Sequence, residues 1–292
     1  MLKIGCHVSA AGGVFNAPKN AHELGCETFQ IFTRPPQGGK APELTDEIAA
    51  KFRAAMDEYG FAEFVVHCPY FVNFGSAEPR IYHGSVSVVR QELERADILG
   101  AAYVMTHLGT AKALGRTKAY QQTRQGLAEV LKGYKGKTQF LLEIAAGSGD
   151  TIGSTFEDLA ELMEPLEKFR AFGGICFDTQ HAFASGYDLR DEASVAKTFR
   201  QFDKAIGLKY LKMSHANDSK PDLASHKDRH EHIGHGHIGT AGFAAIVKFL
   251  DKGLKIKDKK YILPLILETE HDKVKADIKI LKTFRDKIAS IK

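Results

Sequence analysis

The stretch TQFLLEIAAGSGDTIGSTFEDLAELMEPLEKFRAFGGICFD, residues 138–178, holds one full unit of the pattern that decides the fold. It begins with the short apolar run TQFLLE and ends with a second such run, GGICFD. Between them, STFEDLAELME is predicted to be a helix that starts at Ser154, because Ser154 and Glu157 have the spacing of a capping box. The stretch therefore predicts a buried strand, a helix and another buried strand.

The same alternation extends along the whole chain. TDEIAAKFRAAMDEYG (residues 45–60) and VSVVRQELERADILG (residues 86–100) have apolar residues at helical spacing, and each ends in a glycine that favours a helix C-terminus. Eight short apolar runs, several rich in Ile, Val, Phe or Tyr, have the composition of buried parallel strands: LKIGCHV, ETFQIFT, AEFVVH, AYVMTH, TQFLLE, GGICFD, LKYLKMSH and YILPLILE.

Eight strand–helix units in 292 residues predict an α/β fold, a TIM (β/α)8 barrel that spans residues 1–292 as a single domain. The active site is expected at the C-terminal ends of the strands, where the catalytic residues of such barrels lie. The alternative is a doubly wound open sheet, for which eight strands would be many.

Composition limits the class of protein. The chain is 43% apolar, enough for a large core, but it has no run of about 18 apolar residues, so no transmembrane helix is predicted. The N-terminal MLKIGCHVSAAGG lacks the pattern of a signal peptide, and we expect a cytoplasmic protein. The net charge of +4 allows a polyanionic partner without demanding one. The four cysteines are expected to be reduced core thiols rather than a disulfide framework: Cys6, Cys26, Cys68 and Cys176.

Six consecutive predicted strands end in a histidine or a carboxylate, at His67, His107, Glu143, Asp178, His215 and Glu268. In a barrel these ends converge on one face. One buried histidine is usually structural, but six ionisable groups together are costly to bury unless a metal or a proton network compensates them. Imidazole with carboxylate suits Zn²⁺, Mn²⁺ or Fe²⁺ better than Mg²⁺, and six ligands predict two metals that share a carboxylate. Cys68 is not an expected ligand, because adjacent strand residues point to opposite faces.

Two loops beyond these strands add candidate ligands. In DTQHAFASGYD, His181 follows Asp178 by three residues, so both can face one pocket if the chain turns there. The stretch HKDRHEHIGHGHIG, residues 226–239, holds five of the thirteen histidines. Residues two apart in an extended segment share a face, about 6.5–7 Å apart, so Asp228 and His230 can chelate one ion. Spacing alone leaves other pairs open: His230 with His232, and His235 with His237.

With these residues in place, the chain resembles endonuclease IV, the family of metal-dependent apurinic/apyrimidinic endonucleases (AP endonuclease family 2) with a xylose isomerase-like TIM barrel. The resemblance covers essentially the whole chain. It implies a base excision repair enzyme that cleaves double-stranded DNA 5′ to an abasic site, leaving a 3′-hydroxyl and a 5′-deoxyribose phosphate, with 3′-end cleaning as a further expectation. We expect a monomer without an obligate protein partner. Six motifs carry the resemblance: GCHVSAAGG, HCPYFVNFG, CFDTQHAFASGYDLR, KYLKMSHANDSK, DRHEHIGHGHIG and PLILETE.

The resemblance also implies three Zn²⁺ ions, with Mn²⁺ or Fe²⁺ as alternatives at one or more sites. The first ion would be held by His67, His107 and Glu143. Glu143 would bridge to a second ion, held also by Asp178, His215 and Glu268. The third would be held by His181, Asp228 and His230. Catalytic roles are implied for Glu143 and Glu268.

The family flips the abasic nucleotide out of the helix and fills the gap with side chains, and Tyr70 and Phe71 stand where it places them. The alternative is that this pair packs the barrel rim. After strand two the family has an arginine and an aromatic that enter the DNA, whereas this chain has Gln37 and Gly39 in RPPQGGK. We expect Arg34 or Lys40 to compensate, with Arg34 as the predicted DNA contact.

Several histidines have no assigned role. At His235 the family usually has a glutamate, so this residue is an open case near the third metal or the DNA. The other three are predicted to be surface residues, neighbours of ligands or phosphate contacts: His226, His232 and His237.

Two other functions compete with the endonuclease. A sugar isomerase or epimerase on the same barrel would explain the strand-end ligands, but with one or two metals and no Asp-x-His third site. A drifted, non-catalytic binder of damaged DNA would explain the altered loop after strand two, but it has no need of three metals.

Overall fold

The barrel is closed. A computed structural model of the chain describes residues 2–251, 255–256, 259–260 and 263–289. Among these residues, eight parallel strands each pair with the strands before and after them in the chain, and the last pairs with the first. In chain order, β1–β8 are Lys3–His7, Thr28–Ile31, Val65–His67, Tyr103–Thr106, Gln139–Glu143, Phe172–Asp178, Leu211–His215 and Pro264–Leu267. The predicted single-domain TIM barrel is confirmed, and the open sheet is wrong; the extent over residues 1–292 stays a prediction.

Each predicted apolar run coincides with one of these strands, although β6 begins at Phe172, one residue before the predicted run GGICFD; Tyr261 and Ile262 of the last run lie outside the described residues. Helices follow the strands around the barrel. They are α1–α9: Ala17–Glu23, Asp46–Glu58, Pro79–Leu99, Arg116–Leu131, Phe156–Met163, Thr179–Ala184, Glu192–Ala205, Gly239–Asp251 and Val274–Ala289. In the described parts of the chain, no helix is long and apolar enough to cross a bilayer.

Helix ends follow local chemistry, with one correction. Gly60 and Gly100 adopt positive φ angles of 75° and 85° just after α2 and α3, as the two terminal glycines predict. The predicted cap of α5 at Ser154 is wrong by one residue. Thr155 is the residue with extended backbone before the helix, and its hydroxyl accepts the backbone N–H of Asp158 at 3.0 Å.

An apolar layer inside the barrel determines where along the barrel axis the functional site lies. Six fully buried side chains, one from each of β3–β8, form a separate apolar layer: Val65, Met105, Leu141, Cys176, Met213 and Ile266. Each stands two residues before one of the six strand-end candidates. Because side chains two apart in a strand share a face, every candidate lies on the interior side directly above this layer. The layer is therefore the apolar floor of a polar site.

Candidate metal centre

The first group of candidate ligands is formed by His67, His107 and Glu143. Glu143 Oε2 lies 3.3 Å from His67 Nε2 and 3.5 Å from His107 Nε2. His67 Nδ1 donates to the carbonyl oxygen of Cys68, which leaves Nε2 as the atom that faces the carboxylate. Two imidazoles and one carboxylate oxygen are thus directed at one point.

The second group uses the other oxygen of Glu143. His215 Nδ1 lies 2.7 Å from Glu143 Oε1, 3.3 Å from Glu268 Oε2 and 3.6 Å from Asp178 Oδ2. Ligand atoms of these four residues all lie within 4.8 Å of one another. Three carboxylates around one imidazole carry an excess of negative charge in a buried place, which favours a cation between them.

Two buried amides that we did not predict hold this second group. Gln30 Oε1 lies 2.8 Å from His215 Nε2, and Gln30 Nε2 donates to Glu268 Oε1 at 2.6 Å. Asn217 Nδ2 donates to Asp178 Oδ2 at 2.7 Å, while its Oδ1 accepts the backbone N–H of Glu268 at 2.8 Å. With Nε2–H directed at Gln30, His215 presents Nδ1 to the carboxylates. The signal for Gln30 was a polar residue inside the apolar run of β2.

The third group joins loop residues to the barrel. Asp228 Oδ1 lies 3.4 Å from His181 Nε2 and 3.4 Å from His230 Nε2. Asp178 Oδ2 is 4.0 Å from His230 Nε2, so this carboxylate faces both the second and the third group. His181 Nδ1 lies 3.0 Å from the carbonyl oxygen of Ile144 and donates to it, leaving Nε2 for the group. The Asp228–His230 pair is the one that the loop directs into the barrel.

The other histidines of residues 226–239 lie outside these groups. His232 is buried, with Nδ1 2.7 Å from Asp277 Oδ2 and Nε2 3.1 Å from Asp272 Oδ1. It is therefore not a surface residue but a bridge from the loop to α9. His237 Nδ1 lies 2.7 Å from Asp222 Oδ1 at the surface. His226 and His235 are exposed.

A single buried carboxylate, that of Asp218, organises this loop. Its oxygens accept hydrogen bonds from four backbone amides of the loop, those of Gly234, Gly236, Ile238 and Gly239. A Cβ at Gly236 would lie 2.5 Å from Asp218 Oδ1, so the close approach requires glycine. Asp218 and Ser219 also pair with Glu231 and His230 as a short antiparallel ladder. The same residue thus sets the course of the loop and the position of His230.

Electrostatics keep the carboxylates ionised. Burial by itself raises the pKa of Glu143, but the imidazoles of His107 and His215 outweigh it and hold the pKa well below its ordinary value. Burial likewise opposes ionisation of Glu268, yet His215 lowers its pKa to about 2. Burial lowers the pKa of His181, but the carboxylates of Asp178 and Asp228 outweigh burial and raise it to about 10. A cation that binds here takes the place of a proton.

The donor set fits divalent metal ions. Three buried atoms of the candidate ligands have no hydrogen-bond partner among the described residues: Glu143 Oε2, His181 Nε2 and His230 Nε2. A buried unsatisfied polar group costs about 1–3 kcal/mol, so such atoms point to a ligand. All three face the groups described above. Nitrogen and oxygen donors of these types suit Zn²⁺, Mn²⁺ or Fe²⁺. The thiol next to the centre is Cys176, whose Sγ lies 3.7 Å from His215 Nδ1.

Two aromatic side chains stand at the rim of the centre. Tyr70 is 61% exposed and Phe71 is 39% exposed. The Tyr70 ring centroid lies 5.6 Å from that of His67. Two adjacent exposed aromatic residues beside a polar site are available to a binding partner.

Arg34 does not have the role that we predicted. Its side chain is buried, with Nε 2.5 Å from Glu92 Oε1 and Nη2 donating to Gln91 Oε1 at 3.0 Å. The fully buried Glu92 carboxylate on α3 requires a counter-charge, and Arg34 supplies it. Arg34 is thus buried and paired within the fold, which leaves its guanidinium unavailable as a surface contact. Lys40, the other cation of this segment, is exposed.

Comparisons with known proteins give consistent results. The sequence profile described as "Xylose isomerase-like TIM barrel" matches residues 18–287. The chain is 39% identical over 287 residues to "Probable endonuclease 4" of Nitrosopumilus maritimus, covering 98% of this chain and 99% of that protein. It is similar to the crystal structure of endonuclease IV from Thermus thermophilus, with a TM-score of 0.82, 30% identity and coverage of 98% and 99%. A D-tagatose 3-epimerase-like protein, at 19% identity and a TM-score of 0.75 over 99% of both chains, shares the fold alone.

Proposed function

The chain belongs to the endonuclease IV family of xylose isomerase-like TIM barrels, and we propose that it is a DNA repair endonuclease. It hydrolyses the phosphodiester bond 5′ to an abasic site and leaves a 3′-hydroxyl and a 5′-deoxyribose phosphate. The observation that carries the proposal is the convergence of three ligand groups on one face, with Glu143 common to the first two. A centre with two or more neighbouring metal ions suits phosphodiester hydrolysis.

We propose that the centre holds three Zn²⁺ ions, with Mn²⁺ or Fe²⁺ as alternatives. His67 and His107 serve the first ion, His215 and Glu268 the second, and His181, Asp228 and His230 the third. Glu143 serves the first two, and Asp178 serves the second. When bound, such ions neutralise phosphate charge and lower the pKa of water.

The residues of the chain then supply orientation. Glu143 and Glu268 have lowered pKa values, so both are ionised at neutral pH and have no proton to donate. Glu143 helps to orient the attacking water, and Glu268 is held in place by Gln30 and Asn217. Because neither carboxylate carries a proton, neither protonates the leaving 3′-oxygen.

Side chains at the rim of the metal centre position the DNA substrate. We propose that Tyr70 and Phe71 fill the gap in a double helix from which the abasic nucleotide has been flipped into the centre. Unpairing is cheapest where a base is already missing, which favours abasic DNA over intact DNA. Exposed Lys40 replaces Arg34 as the candidate phosphate contact of the second loop. The monomeric state, the absence of an obligate protein partner, the cytoplasmic location and the 3′-end cleaning stay predictions.

A nicking assay tests this function. Metal-loaded protein is incubated with a duplex that contains one abasic site and, separately, with the same duplex without it. We expect scission only of the first, at the bond 5′ to the site, with a 3′-hydroxyl end that a polymerase extends. A ketose substrate is assayed in parallel. Epimerisation of the ketose without scission of the DNA would identify the sugar-epimerase alternative instead.

A variant is needed to distinguish an enzyme from a non-catalytic binder of damaged DNA. Glu268→Gln removes a negative charge from the second group, whereas Glu270→Gln changes an exposed residue two positions along the chain. We expect the first variant to bind the abasic duplex without cleaving it and the second to cleave it normally. Binding without cleavage by the metal-loaded wild-type protein would support the non-catalytic binder.

A further inference from the structure

Two cysteines outside the metal centre lie against each other. Cys6, on β1, and Cys26, just before β2, have their Sγ atoms 3.5 Å apart, and both are free thiols. The other two cysteines are placed elsewhere, Cys68 after β3 and Cys176 within β6. Cys6 and Cys26 therefore form a pair of neighbouring thiols, unlike a single buried thiol.

The backbone holds the two residues in this relationship. The backbone N–H of Glu27 donates to the carbonyl oxygen of Ile4 at 2.8 Å. The backbone N–H of Cys26 itself donates to the carbonyl oxygen of Ala21 at 3.0 Å. A Cβ placed at Gly5 would lie 3.4 Å from Cβ of Cys26, so β1 passes directly beside that residue. A disulfide needs sulfur atoms about 2.05 Å apart, so the two Sγ atoms must move about 1.5 Å closer to form one.

The two thiols differ in access and in reactivity. Cys6 is fully buried, whereas Cys26 is partly exposed. The hydrogen bond from the Cys6 thiol, together with the ammonium group of Lys282, lowers the pKa of Cys26, although burial opposes this. Its hydrogen bond to Cys26 and its burial raise the pKa of Cys6. Lys282 is held nearby, since its Nζ donates to the carbonyl oxygen of Gly25 at 2.8 Å. A small oxidant thus meets the Cys26 sulfur before that of Cys6.

We propose that Cys6 and Cys26 form an oxidation site at which hydrogen peroxide converts the two thiols into an intramolecular disulfide. The Cys26 thiolate attacks one peroxide oxygen, the O–O bond breaks, and the released hydroxide takes a proton to become water. The Cys26 sulfenic acid is then attacked by the Cys6 sulfur. An S–S bond forms, the S–O bond breaks, and the departing hydroxide takes the Cys6 proton. In sum, two thiols and one peroxide give one disulfide and two waters.

The disulfide can be detected directly in the wild-type holoprotein. The folded protein is treated with a few equivalents of peroxide, the remaining thiols are blocked with N-ethylmaleimide, and the protein is digested with trypsin without reduction. Cys6 and Cys26 fall in separate peptides, residues 4–19 and 20–40, since trypsin does not cut between Arg34 and Pro35. We expect these two peptides joined, with a mass lower by two hydrogens than their sum. Peptides with Cys68 and Cys176 serve as internal controls and should not be joined to either.

Two variants separate the steps. In Cys6→Ala, Cys26 should stop at the sulfenic acid, which dimedone traps. In Cys26→Ala, Cys6 should stay reduced, because it is buried. The proposal is wrong if peroxide leaves both wild-type thiols open to alkylation after unfolding. It is equally wrong if wild-type Cys26 is oxidised to sulfinic acid while Cys6 remains a thiol. These readouts do not depend on nuclease activity, so they are independent of the proposed function.

Discussion

Glu143 and His215 form the closest contact between candidate ligands, with Oε1 of Glu143 2.7 Å from Nδ1 of His215. The other oxygen, Oε2, is turned to the imidazoles of His67 and His107 and has no hydrogen-bond partner in the described residues. One carboxylate is thus divided between two groups. Because each of its oxygens faces a different group, Glu143 is the residue on which the proposed binding of two neighbouring ions depends.

Replacing Glu143 should therefore affect two metal positions at once. Loss of a group that only orients a ligand lowers metal affinity or activity by about 10- to 100-fold. We expect Glu143→Gln, which removes a ligand charge from both groups, to lower the nicking rate by more than that and to lower the metal content by more than one ion. Steady-state nicking and elemental analysis measure the two effects. A variant that retains all its metal would show that Glu143 does not bridge.

Gln30 should affect metal binding indirectly, through its hydrogen bonds to His215 and Glu268. Gln30→Leu keeps the volume but removes the hydrogen bonds to His215 and Glu268, and we expect about a 10- to 100-fold loss of metal affinity or nicking. The matched control is Thr28→Val on the same strand, which removes a buried hydrogen bond to the Glu63 carbonyl oxygen away from the centre. Equal losses of metal affinity in both variants would assign the effect to the strand and not to ligand orientation.

The side chain of His232 should stabilise the fold, whereas that of His237 should not. His232→Ala removes the hydrogen bond to the buried Asp277 carboxylate, and a hydrogen bond to a charged group contributes about 1.5–3 kcal/mol. We expect the free energy of unfolding of the metal-loaded protein to fall by that amount in urea denaturation. His237→Ala, which removes a surface contact to Asp222, should change it by less than about 0.5 kcal/mol. Similar values for the two variants would contradict the bridging role of His232.

The titration of His181 should appear in the stability of chelator-treated protein. Its pKa is raised from 6.5 to about 10, so protonated His181 stabilises the fold below pH 6.5, and this contribution is lost as the pH rises through about 10. In urea denaturation with chelator between these pH values, the wild type should lose stability more steeply than His181→Gln. Parallel curves would mean that His181 titrates normally.

Tyr70 should matter for the substrate and not for the fold. Because the side chain is 61% exposed, Tyr70→Ala should change the free energy of unfolding by less than about 0.5 kcal/mol. Loss of a stacking side chain costs about 1–3 kcal/mol of nucleic-acid binding, so the Kd for the abasic duplex should rise by about 5- to 150-fold. Ile98→Ala, another exposed apolar residue at 47%, is the control and should leave the Kd unchanged. An unchanged Kd in Tyr70→Ala would contradict the wedge role.

The barrel and the six strand-end residues could be predicted because both follow from short local patterns in the sequence. Apolar runs marked the strands, and the last residue of each of the final six runs was a histidine or a carboxylate. No long-range information was needed, since parallel strands of a barrel bring equivalent ends together. The pairing of Asp228 with His230 followed from the rule that residues two apart in an extended segment share a face, but the choice among the loop histidines came from the family resemblance.

Contacts between distant residues could not be predicted in this way. Glu92 lies on α3, and nothing in the order of residues shows that its buried carboxylate meets Arg34. The Asp218 carboxylate accepts hydrogen bonds from backbone amides of a loop further along the chain. Its role can therefore be seen only in the folded chain. Gln30 was visible as a polar residue in an apolar strand, yet its partner Glu268 is at the other end of the chain.

Nine side chains are proposed to form one centre for three metal ions. Anomalous diffraction from crystals of protein never exposed to chelator tests it most directly, because it reports the number, position and identity of the ions. We predict three peaks per chain: one beside His67 and His107, one beside His215 and Glu268, and one between His181 and His230. Two or fewer peaks at full occupancy, or a third peak away from Asp228, would contradict the account.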